Sequence, residues 1–200
     1  MEMDIPEEKI AEPKAEPKKL IKYADDDKYP ISTLALMRIP PLVGGLVLGM
    51  VLSFVMSRFE EVLAKNVQVA FFIPLVVYMA SAVGGQTQGI YTRDLKSGKA
   101  KFATYLLKET CLGLILGFLF GALSWFIVET WFGSEELARA IALSMFAAVA
   151  SAPLVALIIT EVFELEHQDP AVGAGPIATV IQDTISVIIY GLISSAILLN

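Results

Sequence analysis

Five long apolar runs constrain this chain more than any other feature. They lie at roughly 40–56, 67–91, 103–128, 138–163 and 175–199. The hydrocarbon core of a bilayer is about 30 Å thick and takes about 20 apolar residues in helical form. The runs are unbroken and do not alternate, which argues against the strands of a barrel, and a helix satisfies its own backbone in lipid over such a stretch. The expected fold class is therefore all-α integral membrane, with five transmembrane helices per subunit. Composition agrees: 56% of residues are hydrophobic and 18% charged, where a soluble domain has about 45–50% and about 25%. The mean hydropathy is +0.65.

Charge is confined to the start of the chain and to the links. Residues 1–30 are rich in Glu, Lys, Asp and Pro, and such a segment buries too little surface to offset its ordering entropy. The reading is a cytoplasmic tail over 1–37, largely disordered or carrying a short surface helix near 18–24, followed by one transmembrane unit over 38–200. The N-terminus is acidic, holds Pro6, Pro13 and Pro17 and lacks an apolar stretch, so no cleavable signal is expected. Orientation follows from Lys and Arg in short loops. A cytoplasmic N-terminus and an external C-terminus place twelve of the 15 basic residues inside. Against this, the link between the fourth and fifth runs is acidic, with Glu164, Glu166 and Asp169, yet falls on the cytoplasmic side. The cell membrane is the expected location. There is no basic face and no glycine-rich phosphate loop, so neither nucleic acid nor nucleotide is an expected partner. The lone Cys111 can form no internal disulfide, and the lone His167 has no second histidine or cysteine for zinc.

Asp183 is the residue most out of place. It sits about eight residues into the fifth run, with no Lys or Arg in that run. An aspartate at such depth costs about 2.5–3.5 kcal/mol on insertion scales, and intramembrane carboxylates generally face a polar path. Thr179 and Ser186, at i−4 and i+3, share its helical stripe. The stripe offers only oxygen, which suits hard cations such as Mg2+ and Ca2+. The alternative is an aspartate that hydrogen-bonds one helix to another. In the second run, Gly84 and Gly85 follow Ala80, Ser81 and Ala82, and precede Gln86, Thr87 and Gln88. This pattern fits an unwound or pore-facing turn, or close helix packing with interhelical hydrogen bonds. Glu161 and Asp169 are candidates for a rim that gathers cations. A solvated helix end also accounts for Glu161, and a capping turn at Asp169-Pro170 accounts for Asp169. Trp125, Trp131 and Phe132 fit an interfacial belt. No catalytic constellation emerges, and an intramembrane aspartyl protease would need a second deep aspartate, so the chain is not expected to be an enzyme.

These residues resemble the transmembrane domain of the MgtE family of magnesium channels and, more distantly, the animal solute-carrier magnesium transporters. The resemblance runs from about Arg38 to Leu199. MRIPPLVGGLVLG is similar to the family's Arg-x-Pro opening of its first helix. FFIPLVVYMASAVGGQTQGIYTRDL carries Phe72, Pro74, Gly84, Gln86 and Arg93 at the family's spacing, and KETCLGLILGFLFG is similar to its third helix. DPAVGAGPIATVIQDTISVIIYGLI holds Asp169, Pro170, Ala171, Pro176 and Asp183 in register with the signature of the fifth helix. Three positions depart from the pattern: Gly85 stands where Asn is usual, Gly175 where a pore-mouth Asn is common, and no proline occurs near Thr160.

The resemblance implies a homodimer of five-helix subunits whose second and fifth helices line a pore at the interface. It makes Asp183, with its twin, the group that holds hydrated Mg2+, the transported ion. It places Gly175 and Thr179 on the pore, beside Ser186, Gly84, Gly85 and Gln86. It also implies a chain without the cytoplasmic Mg2+-sensing domains of larger members, unless a separate protein supplies them. The expected function is transport of divalent cations, Mg2+ first. The rivals are an exchanger coupled to Na+ or H+ and a membrane scaffold or regulatory subunit of a larger transport complex.

Overall fold

The structure is a computed structural model and describes residues 26–165 and 174–199. Six helices follow in order: α1 (Ile31–Ser57), α2 (Glu60–Lys65), α3 (Val67–Lys96), α4 (Phe102–Phe132), α5 (Glu135–Leu165) and α6 (Ala174–Leu198). Among the described residues there is no strand. All but α2 are long and apolar enough to cross a membrane. The link carrying Glu166, His167 and Asp169, and the segment near 18–24, lie outside the described residues.

The first helix begins earlier than the apolar run at roughly 40–56 implies. α1 begins at Ile31 and passes through Pro40 and Pro41, so residues 31–37, assigned to the tail, are helical. The stretch ahead of the prolines is itself apolar, and the two missing N–H groups free two carbonyls without ending the helix. At 27 residues, α1 is about 40 Å long. The short α2 fills the link between the first two spans. Asn66 ends it and caps α3, its side chain accepting from Gln68 N at 3.1 Å. α3 is helical throughout, so Gln86, Thr87 and Gln88 form no unwound turn. Gly133 closes α4 with a positive φ of 60°, a conformation glycine adopts without a Cβ clash.

α5 is the central helix, packing against α4, α3 and α6. The core joins Val69, Phe72, Val76 and Ala80 of α3 to Leu137, Ile141, Met145 and Val149 of α5, with Val128 and Tyr190 from α4 and α6. Phe132 turns inward and meets Phe72 edge-on at 5.5 Å, while Trp125 and Trp131 stay exposed. α4 presents Gly113, Gly117 and Gly121 to the α5 backbone. A Cβ on these glycines would lie 2.9, 2.7 and 2.9 Å from the carbonyl oxygens of Ala150, Phe146 and Ala142. Glycine is what allows the two helices to come so close, and in lipid such contact is a main source of association. α1 buries no residue and leans on α6 alone among its stronger contacts.

Candidate functional site

α6 carries Asp183 as its tenth residue, roughly 14 Å along the axis at 1.5 Å per residue. α3 runs alongside it, and Ser81 Oγ donates to Asp183 Oδ1 at 2.5 Å. The ion pairs Arg38–Asp26, Arg93–Asp94 and Arg139–Glu135 all lie elsewhere. The carboxylate is thus half-buried between two spans with a neutral donor and no basic partner among the described residues.

Beside it lies a chamber of about 30 Å3, lined by Ser81, Gly84, Gly85 and Gln88 of α3, Ala152 and Ala156 of α5, and Ala178, Thr179 and Gln182 of α6. Gly84 and Gly85 from α3 and Thr179 from α6, all expected on the pore, therefore line one chamber. Gly84 is buried, and a Cβ there would meet Ala152 O at 3.3 Å, so its bareness brings α3 onto α5. Gly175 faces the Gln88 side chain, whose Nε2 would lie 3.8 Å from a Cβ at that position. Thr179 is exposed, its hydroxyl donating to Gly175 O at 2.9 Å.

Gln86 lies on an outward stripe of α3 that begins with the exposed Phe71, Leu75 and Tyr78, and Gly85, at the edge of the chamber, is exposed beside it. This face turns from aromatic to small and polar toward the end of α3. Ser186 lies apart from the carboxylate. It is fully buried, donates to Gln182 O at 2.8 Å and accepts from Gln182 Nε2 at 3.2 Å. Glu161 is tied to α3, accepting from Tyr91 OH at 2.5 Å. Nearby, Thr87 donates to Glu109 at 2.8 Å and Tyr105 donates to Asp94. The end of α3 is thus knitted to α4 and α5 through carboxylates, Tyr91 and Tyr105 lying ring to ring at 4.8 Å.

Sequence reasoning missed the residue that holds Asp183: Ser81 figured only as a small residue. The signal for Ser81 was its stripe with Gly85 and Gln88 at i+4 and i+7, which marks one face of α3. Nothing in the sequence pairs that face with Asp183 across more than 100 positions.

The sequence pattern of MgtE, described as a divalent cation transporter, matches residues 73–193. The match contains the whole of the Ser81–Asp183 region. A magnesium transporter MgtE of Enterococcus faecalis is 30% identical over 161 residues, which is 79% of this chain and 36% of that protein. A magnesium transporter MgtE of Bacillus subtilis is 27% identical, covering 81% of this chain and 37% of its own length. One from Thermus thermophilus is 28% identical, with 78% and 35% covered. The chain spans a little over a third of the length of these relatives.

Proposed function

The chain belongs to the MgtE family of divalent cation transporters, and from that premise we propose that it carries divalent cations, Mg2+ first, across the cell membrane past Asp183. The observation that carries the reading is the half-buried Asp183 carboxylate on α6, held by the Ser81 hydroxyl and by no base. A carboxylate at that depth is costly in lipid, and a passing cation is a counter-charge that offsets the cost. The groups around it are oxygen-bearing and neutral: Ser81 on the carboxylate itself, and Thr179 one helical turn before it on α6. Hard cations take such ligands, and Mg2+ keeps several of its waters while doing so.

One chain supplies one carboxylate here; among the described residues no group of three or more His, Cys, Asp or Glu gathers to hold a metal. A homodimer with a two-fold axis along the pore brings a second Asp183 opposite the first and balances a double charge. We assign the axis-facing surface to α6 and to the outward stripe of α3 that holds Gln86, with Gly85 beside it. Glu161, bound to Tyr91, is assigned a bracing role at the pore end rather than a free rim. The transport unit begins with α1 at Ile31, the residues before it are the cytoplasmic tail, and the C-terminus is external.

The test is Mg2+ uptake into proteoliposomes, wild type beside Asp183→Asn, with folding checked by gel filtration. Uptake by the wild type and none by the variant is the expected result. Equal uptake by both sinks the site. Protease access to a C-terminal tag from outside the cell checks the orientation.

A further inference from the structure

The chamber beside Asp183 is lined by neutral groups and holds about 30 Å3. A water molecule needs roughly 10–15 Å3 of such space, so the chamber suits one water, at most two, and excludes a hydrated Mg2+. Gln182 forms part of its wall and is only 3% exposed. The orientation of its amide is settled by Ala148 O, which can only accept, so Nε2 must face it, at 3.3 Å. Nε2 also donates to Ser186 Oγ. That leaves Gln182 Oε1 buried with no donor among the described residues, a costly state for a carbonyl oxygen. Across the same wall stands Ser81. Its single proton is committed to Asp183 Oδ1, and a hydroxyl so engaged keeps two lone pairs to accept with.

We propose that one water molecule occupies this chamber, donating to Gln182 Oε1 and to Ser81 Oγ, and that Ser81 is thereby the positioning residue of the Asp183 carboxylate. This rests on the reading of Asp183 as the cation-binding group. The bonds run in one direction, from water to Ser81 to Asp183, and each polarises the next. The outer torsion of an aspartate is broad, and a donor fixed on Oδ1 sets it, leaving Oδ2 to face the cation or its water shell. A bare Na+ is the other guest of this size. No carboxylate is among the lining residues, so its charge would sit poorly compensated.

The test uses the full chain, titrating Mg2+ against uptake in proteoliposomes and, independently of transport, against the rise in unfolding temperature in detergent. Ser81→Ala is expected to raise the half-effective Mg2+ concentration about tenfold in both, the loss of one charge-assisted hydrogen bond. The maximal rate changes little, and Ser81→Thr restores the affinity. Gln182→Leu is expected to raise it about threefold alone and to add nothing in the Ser81→Ala background, because both act on one chain of bonds. Unchanged affinity in Ser81→Ala, with Asp183→Asn still inactive, overturns the positioning role and leaves the proposed function standing. Additive effects in the double variant overturn the link through water. A wild-type affinity that depends on Na+ in place of K+ assigns the chamber to the ion and overturns the water. Normal Mg2+ response in Asp183→Asn overturns both the site and its positioning residue.

Discussion

Gly117→Ala tests whether backbone contact between α4 and α5 holds the helices together. The added Cβ would lie 2.7 Å from Phe146 O, and ordinary contact begins near 3.4 Å, so 0.7 Å must be found. The obstacle is a main-chain carbonyl, so no side-chain rotation relieves it; α4 must move away from α5. Gly113 and Gly121 on the same stripe then lose their own close contacts with Ala150 and Ala142. Overpacking of this kind costs about 1–3 kcal/mol. Alanine also gains about 1 kcal/mol of helix propensity over glycine, which hides part of the loss. Gly49→Ala in α1 is the control, since a Cβ there meets nothing within 4 Å. Both variants carry the same propensity gain, so their difference isolates the contact and is expected to be about 2 kcal/mol. For a chain near 200 residues this is about 4–8 °C in Tm. The assay is thermal unfolding in detergent micelles, with Gly117→Ala melting below Gly49→Ala. Equal melting temperatures would refute the reasoning, because the clash would then have been absorbed without cost.

Three further outcomes are expected. Tyr190→Phe removes the hydroxyl that donates to Val69 O at 2.5 Å and should cost about 1 kcal/mol, read as a lower Tm; an unchanged Tm would show that the carbonyl is satisfied elsewhere. Tyr91→Phe strips Glu161 of its donor and should loosen the end of α3 from α5 by about 1 kcal/mol. Faster hydrogen exchange at residues 91–96 is its signature, and unchanged exchange there counts against a bracing role. Tyr78→Cys places a thiol on the outward stripe of α3, where Tyr78 is 68% exposed. Oxidation in membranes should cross-link two copies through it, and a chain that stays monomeric under oxidant argues against α3 at a dimer interface.

The five spans were legible because lipid imposes a length and a composition that no soluble core demands. Asp183 was legible for the same reason: a charge in an apolar run stands out against a uniform background. What fell short was local. The first apolar run was bounded at roughly 40, whereas the residues before it extend α1 to Ile31. The Gln86–Gln88 polar run left open an unwound or pore-facing turn and close packing with interhelical hydrogen bonds; α3 stays helical, and Thr87 finds its partner in Glu109 of α4. Ser186 shared the helical stripe of Asp183, but its hydroxyl is spent on Gln182.

The sequence by itself determined that this chain lives in lipid, how many times it can cross, and which carboxylate lies deepest. Those properties follow from one-dimensional patterns, the length of an apolar run and the charge within it. Only the tertiary structure decided that Ser81, and not Ser186, holds Asp183, that Gln182 closes a chamber beside it, and that α4 rests on α5 through three glycines. The physical reason is that each of these joins residues from different helices. Helical periodicity gives the face on which a side chain sits, but which faces meet is set by where backbones can approach most closely. Here glycines at 84, 113, 117 and 121 set that approach.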